Sequence, residues 1–165
     1  SYDSKHQLAN TRLAVAAARA LGVPMPTDEL QVEFSKRREV ERPLEGGGLL
    51  LDDSYNANPA SMRAALEHLT SRAGGRRRVA VLGDMRELGP AGPAYHEEIG
   101  RLVRELGVER VIAVGELARG YGGDWVPAAA DAATRLRAVL RPGDVVLVKG
   151  SLAVGLAAVA ENLID

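Results

Sequence analysis

Two adjacent carboxylates, Asp52 and Asp53, follow the apolar run Leu49-Leu50-Leu51 and precede Ser54-Tyr55-Asn56-Ala57-Asn58-Pro59. A carboxylate in this setting can accept hydrogen bonds from a ribose diol or hold an ammonium group. A bland turn accounts for the Asn and Pro, but not for two neighbouring acids beside a Tyr. Three further stretches offer related groups: Gly83-Asp84-Met85-Arg86-Glu87-Leu88-Gly89, Gly115-Glu116 and Lys149-Gly150-Ser151. Lys149 can neutralise a phosphate or carboxylate as a compact point charge. It directly follows Val145-Val146-Leu147-Val148, so a solvated surface lysine does not explain it easily. Asp84 suits a turn cap equally well, and Glu87 taken singly reads as a solvated loop charge. His68, beside Glu67, reads as a surface residue of a helix. His96 stands at a helix start near Glu97 and Glu98; with no further ligands to complete a metal site, it reads as capping or packing.

The elements that must position these groups follow from pattern. The uninterrupted apolar residues 49–51 predict a short strand covered on both faces. Pro59 suits the first turn of a helix and Asn58 its N-cap, and Met62, Leu66 and Leu69 continue at helical spacing through residues 59–72. Strands are predicted at 79–82, 111–114 and 145–148, with a short one at Trp125-Val126. Helices are predicted at 93–106, 131–140 and 152–163, with a short helical piece near Leu117. Upstream, an Ala-rich helix over 6–21 is ended by Gly22, Pro24 and Pro26. A charged extended stretch at 32–44 bends at Ser35-Lys36, and Gly46-Gly47-Gly48 makes a turn. Apolar strands alternating with amphipathic helices predict an α/β fold: a Rossmann-like, doubly wound, mostly parallel sheet with helices on both faces. In such a sheet the loops after the strands gather along one edge, where ligands bind, and helix N-termini there add partial positive charge. The boundary falls between a lone helical segment, residues 1–30, and the α/β unit, residues 31–165.

The 165 residues suit one compact domain with a fragment of another. Hydrophobic residues make up 46% but aromatics only 4%, so Leu, Val and Ala must fill the core. A net charge of −1 gives no electrostatic footing for nucleic acid or an anionic membrane. The absence of Cys excludes thiolate chemistry and Cys-ligated zinc, and fits a reducing cytoplasm. No apolar stretch is long enough to span a bilayer, and the polar start is unlike a signal peptide. G-x-x-x-x-G-K-[ST], G-x-G-x-x-G and G-x-S-x-G are all missing. The chain is therefore expected to lack a self-sufficient catalytic centre.

In this order the loops resemble the C-terminal domain of the Mur ligase family, in the branch that adds D-alanyl-D-alanine. The resemblance rests on Asp52 to Pro59 followed by Ser61-Met62, on Asp84-Met85-Arg86-Glu87-Leu88-Gly89 with His96 beyond, and on Lys149-Gly150-Ser151. His6, Asn10 and the Ala-rich helix through Leu21-Gly22 resemble the last helix of the family's central ATPase domain. The resemblance implies a monomeric cytoplasmic enzyme of three domains, of which this chain is the third plus the tail of the second. It implies ATP with Mg²⁺, the metal ligands and P-loop lying in the central domain, and no catalytic residue in this chain. It places His6 and Asn10 against adenine, Asp53 on the ribose hydroxyls with Tyr55 and Asn56 in the same nucleotide site, and Arg37 on the ATP phosphates. Arg37 is preferred to Arg38 because Glu39-Val40 then fall where the family pattern has them. Asn58, Asp84, Arg86, Lys149 and Ser151 fall near the D-alanyl-D-alanine pocket. Two positions depart from the pattern: Gln7 stands where Asn is frequent, and Leu152 where Arg is usual.

The implied reaction joins the peptide carboxylate of UDP-N-acetylmuramoyl-tripeptide to the amine of D-alanyl-D-alanine through an acyl phosphate, with the third domain supplying position and closure. A signalling receiver domain is one rival, since Asp52, Asp53, Asp84 and Lys149 superficially fit its acid pair, phosphoacceptor and lysine. Asp84 follows the very next strand, however, where the receiver pattern has its acceptor one strand later, and Gly rather than Pro follows Lys149. A folate-glutamylating ligase shares the fold, but Asn-Ala-Asn-Pro and Asp-Met-Arg-Glu-Leu-Gly argue against it, as they do against a plain binding module.

Overall fold

The computed structural model describes residues 5–24 and 40–164, with the side chains of 5–7 excepted. The chain divides into two compact units, Ser1–Phe34 and Ser35–Asp165. Within the first, helix α1 (Lys5–Ala20) is built from strong helix formers and ends where Gly22 and Val23 donate back to Arg19 and Ala18 carbonyls. Leu13 and Leu21 on this segment are exposed. The predicted bend at Ser35-Lys36 lies outside the described residues, and only the end of the 32–44 stretch is seen, as strand β1 (Val40–Leu44).

In the second unit the chain alternates as the pattern predicts. Strand β2 (Gly48–Asp53) leads to α2 (Pro59–Ala73), β3 (Arg78–Gly83) to α3 (Gly92–Glu105), and β4 (Arg110–Val114) through a single 3-10 turn to β5 (Asp124–Val126). Helix α4 (Ala129–Val139), strand β6 (Val145–Lys149) and helix α5 (Ala157–Glu161) follow. The six strands form one sheet in the order β1-β2-β6-β3-β4-β5, parallel except for β1. Strand β6 is thus inserted between β2 and β3, and the connection through α2 steps across it.

Both faces of the sheet are covered, and successive strand residues divide between them as the two-residue period requires. Leu51, Ala80, Leu82, Ala113 and Leu147 pack under α2 and α3 with Met62, Leu66, Leu69, Ile99 and Val103. Leu50, Val79, Val81, Ile112, Val114, Val146 and Val148 pack under α4 and α5 with Ala132, Leu136 and Val159. Small Ala and Val side chains take the place of aromatics, consistent with the composition.

One predicted helix is wrong in extent. Residues 152–163 do not form a continuous helix: Leu152–Val154 makes a 3-10 turn, Gly155 adopts φ +77°, and α5 starts only at Ala157. A left-handed residue cannot continue an α-helix, and glycine reaches that conformation without a Cβ clash.

His68 is not the plain surface residue expected. It is half-buried, and its Nε2 lies 3.1 Å from Glu41 Oε1, while Arg72 donates to both oxygens of the same carboxylate. Edge strand β1 is thereby pinned to α2. Burial pushes the Glu41 carboxyl up, but hydrogen bonds and charge from Arg72, then from His68, outweigh it and hold the group below its ordinary value of 4.5. A carboxyl depressed on folding stabilises above its ordinary value and loses that contribution as pH falls through the lower folded value. Glu41→Gln is therefore expected to lower stability near neutrality and to flatten its decline on acidification. Urea midpoints at neutrality and at roughly pH 3 measure both effects.

Candidate functional site

Four parallel strands end side by side, in the order β2, β6, β3, β4, and each delivers one predicted loop to the same rim. Asp53, the last residue of β2, pairs in register with Lys149, the last of β6, and Lys149 is also opposite Leu82 of β3. Gly83, which precedes Asp84, is opposite Val114, which precedes Gly115. Asp53, Lys149 and Asp84 are therefore neighbours along one edge.

In the β2 loop, Asp52 turns inward and its Oδ1 accepts the Ser54 N–H at 3.1 Å. Asp53 is held by Lys149, whose Nζ donates to Asp53 Oδ2 and, at 2.9 Å, to the Asn56 carbonyl. Asn56 Oδ1 accepts the Ala57 N–H at 2.8 Å, and Tyr55 lies exposed at the tip. Asn58 caps α2: its Oδ1 accepts the Ser61 N–H at 2.9 Å while Ser61 Oγ accepts the Asn58 N–H at 3.1 Å, a reciprocal capping box. The helix start expected from Asn58-Pro59 is therefore present, and the Asn58 carboxamide oxygen is committed to it. The hydroxyl of Ser54 is buried with no hydrogen-bond partner, the one such side-chain atom among the described residues.

The β3 loop is held at three consecutive amides. The Asp84 N–H donates to Val114 O at 3.1 Å, the Met85 N–H to His96 Nε2 at 2.9 Å, and the Arg86 N–H to Ser151 Oγ at 2.9 Å. Ser151 also donates its own N–H to Asp84 O. The Asp84 carboxylate is buried, and its Oδ1 accepts the Ala118 N–H at 2.8 Å. Arg86 Nη2 approaches Asp84 Oδ2 at 3.8 Å with most of its side chain in solvent. Glu87 adopts φ +63°, a conformation that costs a non-glycine residue on the order of 1 kcal/mol or more. The loop thus spends its backbone polarity on the scaffold and presents the Arg86 guanidinium.

The packing role read for His96 is present, but sequence reasoning missed its bond to the β3 loop. It is fully buried, stacks on Tyr121 with ring centroids 5.0 Å apart, and has Nδ1 2.7 Å from the Gly92 carbonyl. Because Nε2 accepts the Met85 amide, Nδ1 must carry the proton, and the ring is the neutral Nδ1–H tautomer. The signal was available: His96, Ile99 and Val103 recur at i, i+3 and i+7, on the buried face of α3. Tyr121, which donates from its hydroxyl to Gly83 O at 3.0 Å, had no such signal. Burial, and secondarily the nearby Asp84 charge, push its phenol well above the ordinary range, so it serves as a permanent donor. The β4 loop is braced in turn by Trp125 Nε1, which donates to Gly115 O at 2.8 Å beneath the Arg119 guanidinium.

Three further nucleotide residues were expected outside these loops. The His6 side chain and all of Arg37 lie outside the described residues, and Asn10 is exposed on α1 in the first unit. No group of three or more His, Asp or Glu that could hold a metal occurs among the described residues. A surface pocket lined by Arg104, Glu109, Arg110 and Gly122-Gly123-Asp124 opens at the opposite, amino edge of β4 and β5 and contains none of the expected residues.

The model of the family described as "Mur ligase, glutamate ligase domain" matches residues 37–152. The chain belongs to this family. Curated relatives include the UDP-N-acetylmuramoyl-tripeptide--D-alanyl-D-alanine ligase of Mycobacterium leprae, 38% identical over 96% of the chain and 37% of its own length. The protein of the same name from Escherichia coli is 33% identical, again over 96% of the chain and 37% of its length. Among solved structures, the MurF ligase of Thermotoga maritima in complex with ADP superposes with a TM-score of 0.76 at 27% identity, covering 99% of this chain and 39% of that one. The chain thus spans well under half the length of these relatives. Membership of the Mur ligase family also disposes of the receiver reading. Lys149 is engaged by Asp53 rather than by Asp84, and the Asp84 carboxylate is buried against an amide instead of open to a phosphoryl donor.

Proposed function

We propose that this chain is the C-terminal part of an ATP-dependent ligase that joins D-alanyl-D-alanine to UDP-N-acetylmuramoyl-tripeptide in the cytoplasm, a step of peptidoglycan precursor synthesis. The reading is carried by the meeting of Asp53, Lys149 and Asp84 on one sheet rim, in loops that match a family whose similar members bear that name. Residues 1–30 are then the tail of the central ATPase domain. His6 and Asn10 serve adenine, Asp53 with Tyr55 and Asn56 serves the ribose side, and Arg37 serves the phosphates. Asp84, Arg86 and Ser151, with Asn58 nearby, form the dipeptide side, where Arg86 offers its exposed guanidinium to the dipeptide carboxylate. Mg²⁺ accompanies ATP and takes its protein ligands from outside this chain. The enzyme works as a monomer.

What these residues supply is position. Asp53 is an acceptor for a diol, the Asp84–Gly89 loop is a rigid ledge for the amine substrate, and closure of the rim excludes water from the acyl phosphate. The full-length gene product that carries this sequence is expected to release phosphate from ATP only when both the UDP-linked tripeptide and D-alanyl-D-alanine are present. The isolated 165 residues are expected to release none above a blank, because they contain no P-loop. Amide formation by the isolated chain, or turnover of the full-length protein that ignores the dipeptide, would overturn the reading.

A further inference from the structure

Lys149 is the most deeply buried charged group of the rim, at 1% exposure. An ammonium so enclosed within its own domain is not reachable by a dipeptide. Its bonds run the other way, to the Asp53 carboxylate at the end of β2 and to the Asn56 carbonyl in the loop that follows. Ser151, two residues on, directs its hydroxyl and its N–H into the β3 loop, at the Arg86 N–H and Asp84 O. The short segment Lys149-Gly150-Ser151 therefore serves the two halves of the rim with different residues. Buried ion pairs contribute little net stability, since desolvation opposes their attraction, so the pairing is better explained by what it fixes. An Asp carboxylate rotates about two torsions; anchoring one oxygen to the neighbouring strand end sets the direction of the whole group. The Asn56 bond fixes the loop that carries it.

We propose that Lys149 is a positioning residue of the nucleotide half of the site, acting through Asp53, and that it does not contact the dipeptide. This rests on the ligase reading above and reassigns Lys149 from the dipeptide pocket implied by the resemblance. In the full-length gene product, Lys149→Met is expected to raise KM for ATP by about fivefold or more while KM for D-alanyl-D-alanine stays within about twofold. Asp53→Asn should do the same, and the Asp53→Asn/Lys149→Met double variant should be no worse than the worse single, because both remove one interaction. A rise in the dipeptide KM with the ATP KM unchanged, or multiplying effects in the double variant, would overturn the proposal. The double variant also guards against misfolding, since it leaves no unpaired carboxylate behind. Hydrogen exchange on the 165-residue chain tests the same idea without turnover. The Ser54 and Ala57 amides should exchange faster in Lys149→Met, with those of Arg86 and Ser151 unchanged. Unaltered exchange at Ser54 and Ala57 overturns the role of Lys149 whatever the reaction. Failure of the wild type to use D-alanyl-D-alanine overturns the ligase reading and leaves the exchange result to decide on Lys149.

Discussion

Gly115→Ala is expected to destabilise the α/β unit by about 3 kcal/mol, the sum of a strained backbone and a displaced buried carboxylate. Gly115 follows β4 with φ +108°, outside the range an L side chain adopts comfortably. A Cβ there would stand 2.6 Å from Asp84 Cγ and Oδ1 and 2.7 Å from Oδ2. The carboxylate cannot give way freely, because its Oδ1 accepts the Ala118 amide in a buried setting. Moving it would orphan that N–H and disturb the ledge carrying Arg86. Gly92→Ala is the control: a Cβ at that helical position meets Leu117 Cδ1 at 3.5 Å, an ordinary contact. It is expected to change stability by no more than about 0.5 kcal/mol. Urea unfolding of the two variants separates the cases, and equal midpoints would refute the role given to Gly115.

Arg86→Ala should behave in the opposite manner, sparing the fold and harming the reaction. The side chain is 58% exposed and its one ion-pair contact, to Asp84, is long at 3.8 Å. Its structural role is played by its backbone N–H, which the substitution retains. Stability is therefore expected to change by less than about 0.5 kcal/mol. If the guanidinium receives the dipeptide carboxylate, as proposed, losing a charge-assisted contact of about 2 kcal/mol raises the dipeptide KM roughly thirtyfold. The ATP KM should not move. Steady-state kinetics of the full-length gene product, varying each substrate in turn, give the answer. Lys149→Met should show the reverse pattern, so the two variants together report which half of the rim each residue serves.

Much of this was legible before any coordinates. The two-residue alternation of buried faces and the 3.6-residue spacing of α2 and α3 are written in residue type, so strands and helices emerged with ends shifted by only a residue or two. Asn58-Pro59 announced its capping box directly. What could not be read was the order of strands in space. Nothing in the sequence says that β6 inserts between β2 and β3, and that insertion is why Lys149 meets Asp53. Nor do backbone partners leave a trace: the Asn56 carbonyl and the Ala118 amide carry essential contacts that any residue type could provide. The helix expected over 152–163 failed for a nearer reason. A lone Gly is tolerated in many helices, so Gly155 was no certain break until its left-handed φ was seen.

The central place of β6 also has a bearing on how the rim comes into being as the chain is made. The contact between Asp53 and Lys149 spans 96 positions, and β2 and β3, which flank β6, bond to it rather than to each other. A ribosome-bound chain that has emerged only through α4 holds both acidic loops but lacks the strand that joins their sheets. Closing so long a loop is entropically slow, and the unfilled gap leaves two strand edges exposed meanwhile. Shortened chains that stop before Val145 should therefore aggregate rather than accumulate as half-formed domains.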